Sequence, residues 1–363
     1  MSTQVTNYQC PNCNGPLRFD GGSGQLICDY CSTVYAVEVI EQLFADKEQA
    51  AAAAGVEPQW DLSMAGSQWS DEEAANMRGY ICPSCAAEII CDATTAATSC
   101  PYCGNPTVVP GQFTGVLRPD FVIPFRLDKN YAIAALNQHY KGKKFLPSCF
   151  ANKNNIDEIK GIYVPFWLFD GESYANMRFR GTVVRSYKQG NYMITETDHF
   201  RVVREGNVRF ERVPVDGSSK MPDAHMDSIE PYVYSDMMPF STAYLPGFLA
   251  DKYDVDAATC SQRANTRIKA STEQMFATTT AGYTTLVPEY SVFNLKKGEV
   301  KYALLPVWML YTKYEGQNYL FAMNGQTGKM IGDLPVDKKK YWSWFAGISL
   351  PIAAVLALIL FLM

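Results

Sequence analysis

The chain has 363 residues, 47% of them apolar and 13% aromatic, which excludes a disordered chain and leaves room for two or three folded units. The net charge of -5 hides a division: residues 1–110 carry three basic side chains (Arg18, Lys47, Arg78) against thirteen acidic ones, and the remainder carries 29 basic and 24 acidic. Affinity for phosphate backbones comes from Lys and Arg displacing counterions, so the acidic N-terminal third is not expected to bind nucleic acid.

The first element, over 1–37, holds Cys10, Cys13, Cys28 and Cys31 in the spacing C-x2-C-x14-C-x2-C. The same spacing returns, shifted by 72 residues, at Cys82, Cys85, Cys100 and Cys103 within 78–110. Two thiolates on one C-x2-C turn bind an ion from one side, and a second turn after a short β-excursion completes a tetrahedron. The expectation is two structural zinc ribbons and two Zn2+ ions. Iron in a rubredoxin-like site is the alternative, and a metal assay separates the two. Disulfides need an oxidising compartment, and the opening Met1-Ser2-Thr3-Gln4 carries no basic-then-apolar signal segment. A redox C-x-x-C would want a thioredoxin-like setting, which is absent. Cys91, Cys149 and Cys260 are isolated and fit small buried hydrophobes better than ligands.

Between the two cysteine segments, 38–77 reads as a helical, acidic linker. A helix is expected from Glu38 to Ala54 and a linker from Gly55 to about Ser70. Ser70 then caps a short helix, with Glu73 at the capping-box position and Asp71, Glu72 and Glu73 as a solvated face. Pro106, Pro110 and Gly111 mark the next boundary.

Residues 115–335 read as one α+β domain with an internal repeat of a helix plus antiparallel strands. Gly161–Phe169 resembles Tyr302–Leu310, with Pro165 and Pro306, like Trp167 and Trp308, 141 apart. Helical stretches precede each copy at Lys129–Tyr140 and at Val255 to about Phe276. Strands are expected at 177–184, 199–203 and 319–325, the last running into a turn at Asn324-Gly325. Trp167 and Trp308 fit equivalent core positions better than ligand platforms. His139, His199 and His225 sit in no metal-binding spacing. Gly325–Met330 lacks the earlier glycine of a phosphate loop and has Met330 where Ser or Thr should stand, so it reads as a hairpin turn. Asp227 and Glu230, or Asp254 and Asp256, fit loop and cap roles. No catalytic constellation emerges, and the chain is not expected to be an enzyme.

The last element, 341–363, has no charged residue. At ~1.5 Å per residue it reaches about 34 Å, enough for a hydrocarbon core of ~30 Å. Tyr341, Trp342 and Trp344 suit the headgroup layer, and Lys338-Lys339-Lys340 just before them places the bulk of the chain in the cytoplasm. The expectation is a transmembrane helix acting as a single-pass C-terminal tail anchor in the cell membrane. Pro351 is tolerable within it.

Several phrases carry a family resemblance: Cys100-Pro101-Tyr102-Cys103-Gly104, Tyr163–Asp170, Val213–Lys220, Ile229-Glu230-Pro231-Tyr232, Ala243–Asp254 and Met323–Lys329. Over about 78–340 the chain resembles bacterial membrane-anchored TFIIB-type zinc ribbon-containing proteins, sometimes labelled as related to the primosomal replication-restart helicase. The resemblance implies zinc at Cys82, Cys85, Cys100 and Cys103. It also implies links to membrane-stress scaffolds: phage-shock-type coat proteins and flotillin-like or virion-core-like partners. One departure is Ala86, where the turn usually carries Gly. The helicase label conflicts with the residues, since a motor needs a phosphate loop.

The function expected is a membrane-tethered cytoplasmic adaptor whose zinc ribbons recruit protein partners and whose basic body faces membrane lipid. The alternatives are a zinc-ribbon nucleic-acid-binding regulator and a membrane-bound enzyme with a site in the α+β domain. Replacing Cys100 and Cys103 with Ser is expected to unfold the second ribbon and leave the anchored domain intact.

Overall fold

The computed structural model describes residues 8–13, 15–53, 60–95, 99–106, 108–111, 117–150, 156 and 158–362. The chain is a mixed α+β protein that divides into two compact units. One takes Met1–Gln59, Gly171–Phe210 and Asn265–Gly298; the other takes Trp60–Asp170, Glu211–Ala264 and Glu299–Met363.

In the first unit, β1 (Leu17–Asp20), β2 (Gln25–Cys28) and β3 (Val34–Ala36) form their own antiparallel sheet in that order, followed by α1 (Val37–Ala53). Ile40 of α1 is fully buried, and Phe44 packs edge-on against Tyr8 (5.0 Å).

The second unit begins with α2 (Asp71–Ala75), β4 (Met77–Ile81), β5 (Glu88–Asp92), β6 (Val109–Gly111), β7 (Phe121–Val122) and α3 (Lys129–Tyr140). The long strands β8 (Lys160–Gln189) and β9 (Tyr192–Asp216) come next, then α4 (Asp223–Ile229), β10 (Met238–Pro239), β11 (Leu249–Asp251) and α5 (Ala257–Thr278). The chain closes with β12 (Thr285–Tyr314), β13 (Gln317–Asn324), β14 (Met330–Gly332) and α6 (Lys338–Leu362). β8, β9, α5 and β12 are long enough to belong to both units, so the units cut through 115–335. In the first unit these segments gather Met177, Phe179 and Val202 against Phe276, Tyr283 and Leu286.

The sheet of the second unit runs β10-β7-β12-β8-β11-β5-β4-β6, with β13 beside β12 and β14 beside β13. Its strands alternate between two buried faces, as the period of two requires. Trp308, Leu310, Phe321 and Met323 pack under Ala132, Leu136 and Tyr140 of α3. Val307, Met309, Leu320 and Ala322 point the other way, to Met226 and Ile229 of α4 and to Cys82, Cys100 and Tyr102.

The internal repeat is closer than the sequence showed, and its halves are exchanged. β7 pairs in parallel with β12 (Phe121↔Ala303, Val122↔Leu304), and β11 pairs in parallel with β8 (Leu249↔Ile162, Ala250↔Tyr163). Each half's leading strand therefore lies on the other half's long strand, at matching register. Trp308 Nε1 donates to Leu127 O (3.0 Å) and Trp167 Nε1 to Val255 O (2.9 Å). Gly325 N donates to Pro306 O (2.9 Å) and Gly217 N to Pro165 O (2.8 Å). Both tryptophans are core residues. Beside the antiparallel pairing expected within each half, the halves are joined by parallel pairings.

Three expectations need correction. Residues 60–70 are packed, not a free tether: Trp60 meets Phe169 (4.9 Å) and Trp69 meets Phe240 (5.7 Å), both edge-on. Residues 54–59 lie outside the described residues. The Ser70 cap forms, with its hydroxyl accepting from Glu73 N (3.2 Å), but the Glu73 carboxylate is no solvated face. Arg118 grips it with Nε (3.0 Å) and Nη2 (3.0 Å), which holds its pKa below the usual carboxylate range. Finally, the second cysteine segment is not a separate module, because β5 pairs with β11 (Ile90↔Ala250, Ile89↔Asp251) and its side chains enter the core.

The 319–325 strand and the turn after it form as expected, and Gly325–Lys329 links β13 to β14. Pro351 lies within a continuous α6, 25 residues long and exposed throughout its apolar part.

Candidate metal centres

All four cysteine turns fold alike. The amide of each leading cysteine donates to the carbonyl five residues on: Cys10 to Gly15 (2.7 Å), Cys28 to Thr33 (3.0 Å), Cys82 to Ala87 (3.0 Å) and Cys100 to Asn105 (2.8 Å). The residue four after the leading cysteine turns left-handed in the three turns where it is described: Ser32 and Ala86 at φ 56° and Gly104 at φ 70°. Only Gly104 adopts this without a Cβ penalty. The departure at Ala86 is therefore a real strain, and the ligands stay in place around it.

The turns meet in pairs. Sγ separations are 3.6 Å for Cys10–Cys31, 3.4 Å for Cys13–Cys28, 3.6 Å for Cys82–Cys103 and 3.6 Å for Cys85–Cys100. Within each group of four, all sulfurs lie within 4.8 Å of one another. A tetrahedron with ~2.3 Å metal–sulfur bonds puts sulfurs about 3.8 Å apart, whereas a disulfide needs ~2.0 Å. The donor set and its spacing fit a four-thiolate metal site in both places.

Electrostatics point the same way. Hydrogen bonds from the Thr33 hydroxyl and amide draw Cys31 down to about 6. Burial pushes Cys82 up, but the amides of Cys85 and Ser84 outweigh it and leave it at about 7. Cys13 has the Gly15 amide in its favour, yet the neighbouring Cys28 thiol drives it up to about 12. Burial raises Cys85 and Cys100. Each group thus joins a readily ionised thiol to at least one neighbour that resists a second negative charge. A divalent cation removes that conflict.

The surroundings of the two centres differ. Around the first, Tyr35 OH lies 3.5 Å from Cys10 Sγ, and Cys13 is exposed. The second is enclosed. Lys160 Nζ donates to Ser99 O (2.9 Å), and its cation sits in the field of Cys100. Tyr102, between two ligands, is buried near Asp251. Burial lifts the Asp251 carboxyl to about 7 although the Ser218 hydroxyl donates to it (2.5 Å). Thr33 and Tyr35 were adjacent in sequence but gave no signal. Lys160, Ser218 and Asp251 are 57 or more residues from Cys103, and only folding brings them near.

The remaining cysteines stay apart from both centres. Cys91 is buried and its Sγ donates to Thr95 O (3.0 Å), and Cys260 is buried. Cys149 is exposed, contrary to expectation. His199 is exposed, and His225 Nε2 stands 2.9 Å from Asp333 Oδ2. Asp256 caps α5 through Thr259 N (2.8 Å). The first unit also holds a cleft of about 510 Å3 lined by Arg178, Arg180, Arg201, Glu289 and Tyr290, with Cys13 on its wall. The Arg178 guanidinium sits 4.9 Å over the Tyr290 ring, and Arg180 pairs with Glu289 (3.4 Å).

Comparison with known proteins finds no matching family model and no matching solved structure. A protein of Bacillus subtilis (strain 168), named "Uncharacterized protein YdjG", is 35% identical over 345 residues, which cover 95% of this chain and 94% of that protein. Identity at this level across nearly the whole of both chains places this chain in the family of YdjG.

Proposed function

We propose that the chain is a membrane-tethered cytoplasmic adaptor with two structural zinc ribbons of the TFIIB type. α6 anchors it in the cell membrane, the second zinc centre braces the body, and the first recruits a protein partner. The observation that carries this reading is the first centre's own small sheet, which leaves Phe19, Tyr30 and Val34 exposed at 56%, 79% and 46% around a metal site. Exposed aromatic and aliphatic side chains on both faces of a metal-pinned module supply the residue types that protein-binding surfaces use. The acidic balance of residues 1–110 opposes nucleic acid. Membrane-stress scaffolds of the phage-shock, flotillin-like or virion-core-like kinds are the partners proposed.

The test is affinity purification of the full chain from native membranes in detergent, with mass spectrometry of proteins and metals. A partner lost in the Phe19→Ser/Tyr30→Ser double variant, with zinc still at two per chain, supports the adaptor. Partner recovery unchanged in that variant rules out the first centre as the docking element.

A second reading, a membrane-bound enzyme, draws on the arginine cleft of the first unit. Three guanidinium groups favour an anionic ligand. Turnover of an anionic substrate that is lost in Arg178→Gln and kept in Phe19→Ser/Tyr30→Ser would favour it over the adaptor.

A further inference from the structure

The first turn of α6 is clasped by the loop that follows α3. Asp337 N donates to Phe145 O (2.8 Å) and Lys340 Nζ to Leu146 O (2.7 Å). The Phe145 ring meets Tyr341 at 5.6 Å and Trp344 at 6.1 Å, and the Lys144 ammonium lies 4.6 Å from the Trp344 ring centre. Against this clasp, an apolar groove of about 470 Å3 follows one face of the helix from Phe145 and Trp344 through Ile348 and Ile352 to Leu356.

The clasp is strongly basic. The loop carries Lys141, Lys143 and Lys144, and the helix opens with Lys338, Lys339 and Lys340, all exposed. Lysines in a first helical turn oppose the helix dipole. The Asp337 carboxylate, which accepts from the amides of Lys339 and Lys340 (3.0 and 3.1 Å), offsets one of six positive charges. An anionic headgroup would offset part of the rest, and the groove begins where such a headgroup would sit.

We infer that this groove binds one anionic phospholipid, its phosphate against Lys143 and Lys144 and an acyl chain along Ile348 and Ile352. The inference rests on α6 as a membrane span. Charge favours a lipid over the α6 of a second copy, since parallel copies would bring like lysines together at the same rim.

The test uses the full chain, reconstituted with equal amounts of phosphatidylglycerol and phosphatidylcholine, repurified in mild detergent and analysed for retained lipid by mass spectrometry. Enrichment of phosphatidylglycerol by about thirtyfold is expected, given the surface attraction of two lysines. It should vanish in Lys143→Glu/Lys144→Glu, and Ile352→Trp, which fills the groove, should lower total retained lipid. Equal retention of both lipids, enrichment that survives the charge reversal, or cross-linking of Ser349→Cys copies along the groove overturns the site. Alkaline carbonate treatment of native membranes separates the two levels: release of the chain sinks the membrane span itself, whereas a chain that stays with the membrane but shows no lipid preference sinks only the site.

Discussion

Ala86 and Gly104 occupy the same place in two cysteine turns, both left-handed, at φ 56° and 70°. A Cβ at Gly104 would meet nothing within 4 Å, so a substitution there reports backbone conformation alone. Ala86→Gly should stabilise the second unit and Gly104→Ala destabilise it, each by roughly 1 kcal/mol, as read from chemical denaturation of the metal-loaded protein in detergent. Asp251 gives a pH dependence. Its folded pKa, raised to about 7 by burial, exceeds the unfolded value of ~3.9, so the folded state holds the proton longer. Stability from this group is therefore fully present below about pH 4 and lost as pH rises to about 7. Asp251→Asn, which keeps an acceptor for Ser218, should gain on the wild type across that window, by about 4 kcal/mol at pH 8. A difference between the two proteins that stays flat with pH would refute this. The eight cysteines are legible because their spacing is local, whereas nothing local singles out Asp251, which is buried because β11 lies inside the sheet.

At the scale of elements, identical cysteine spacings serve two different roles. The first centre closes a small sheet of its own; the second is tied by β5 to β11 and contributes to the main core. Cys28→Ser/Cys31→Ser should therefore cost only the order of the first centre. Cys100→Ser/Cys103→Ser should lower the stability of the whole second unit by several kcal/mol, since a structural zinc supplies on the order of 10 kcal/mol of binding free energy. Hydrogen exchange resolved by segment reads both outcomes, and protection of β8 and β12 that survives the second double substitution would contradict the built-in role. The exchanged repeat makes a paired expectation. Trp167→Phe and Trp308→Phe each remove one indole hydrogen bond to a matching carbonyl, so each should cost about 1–2 kcal/mol, and by similar amounts.

Across the whole molecule, the sequence alone determined what depends on neighbours along the chain. Two sets of four cysteines follow from turn geometry, α3 from a helical stretch ahead of the first repeat copy, and α6 from an uncharged run longer than a lipid core. The tertiary structure decided the rest: β7 lies on β12 and β11 on β8, the second centre joins the core, and the basic loop after α3 clasps the foot of α6. None of these is written in a local period, because the residues concerned are 87 to 200 positions apart and only burial of two sheet faces at once selects their pairing.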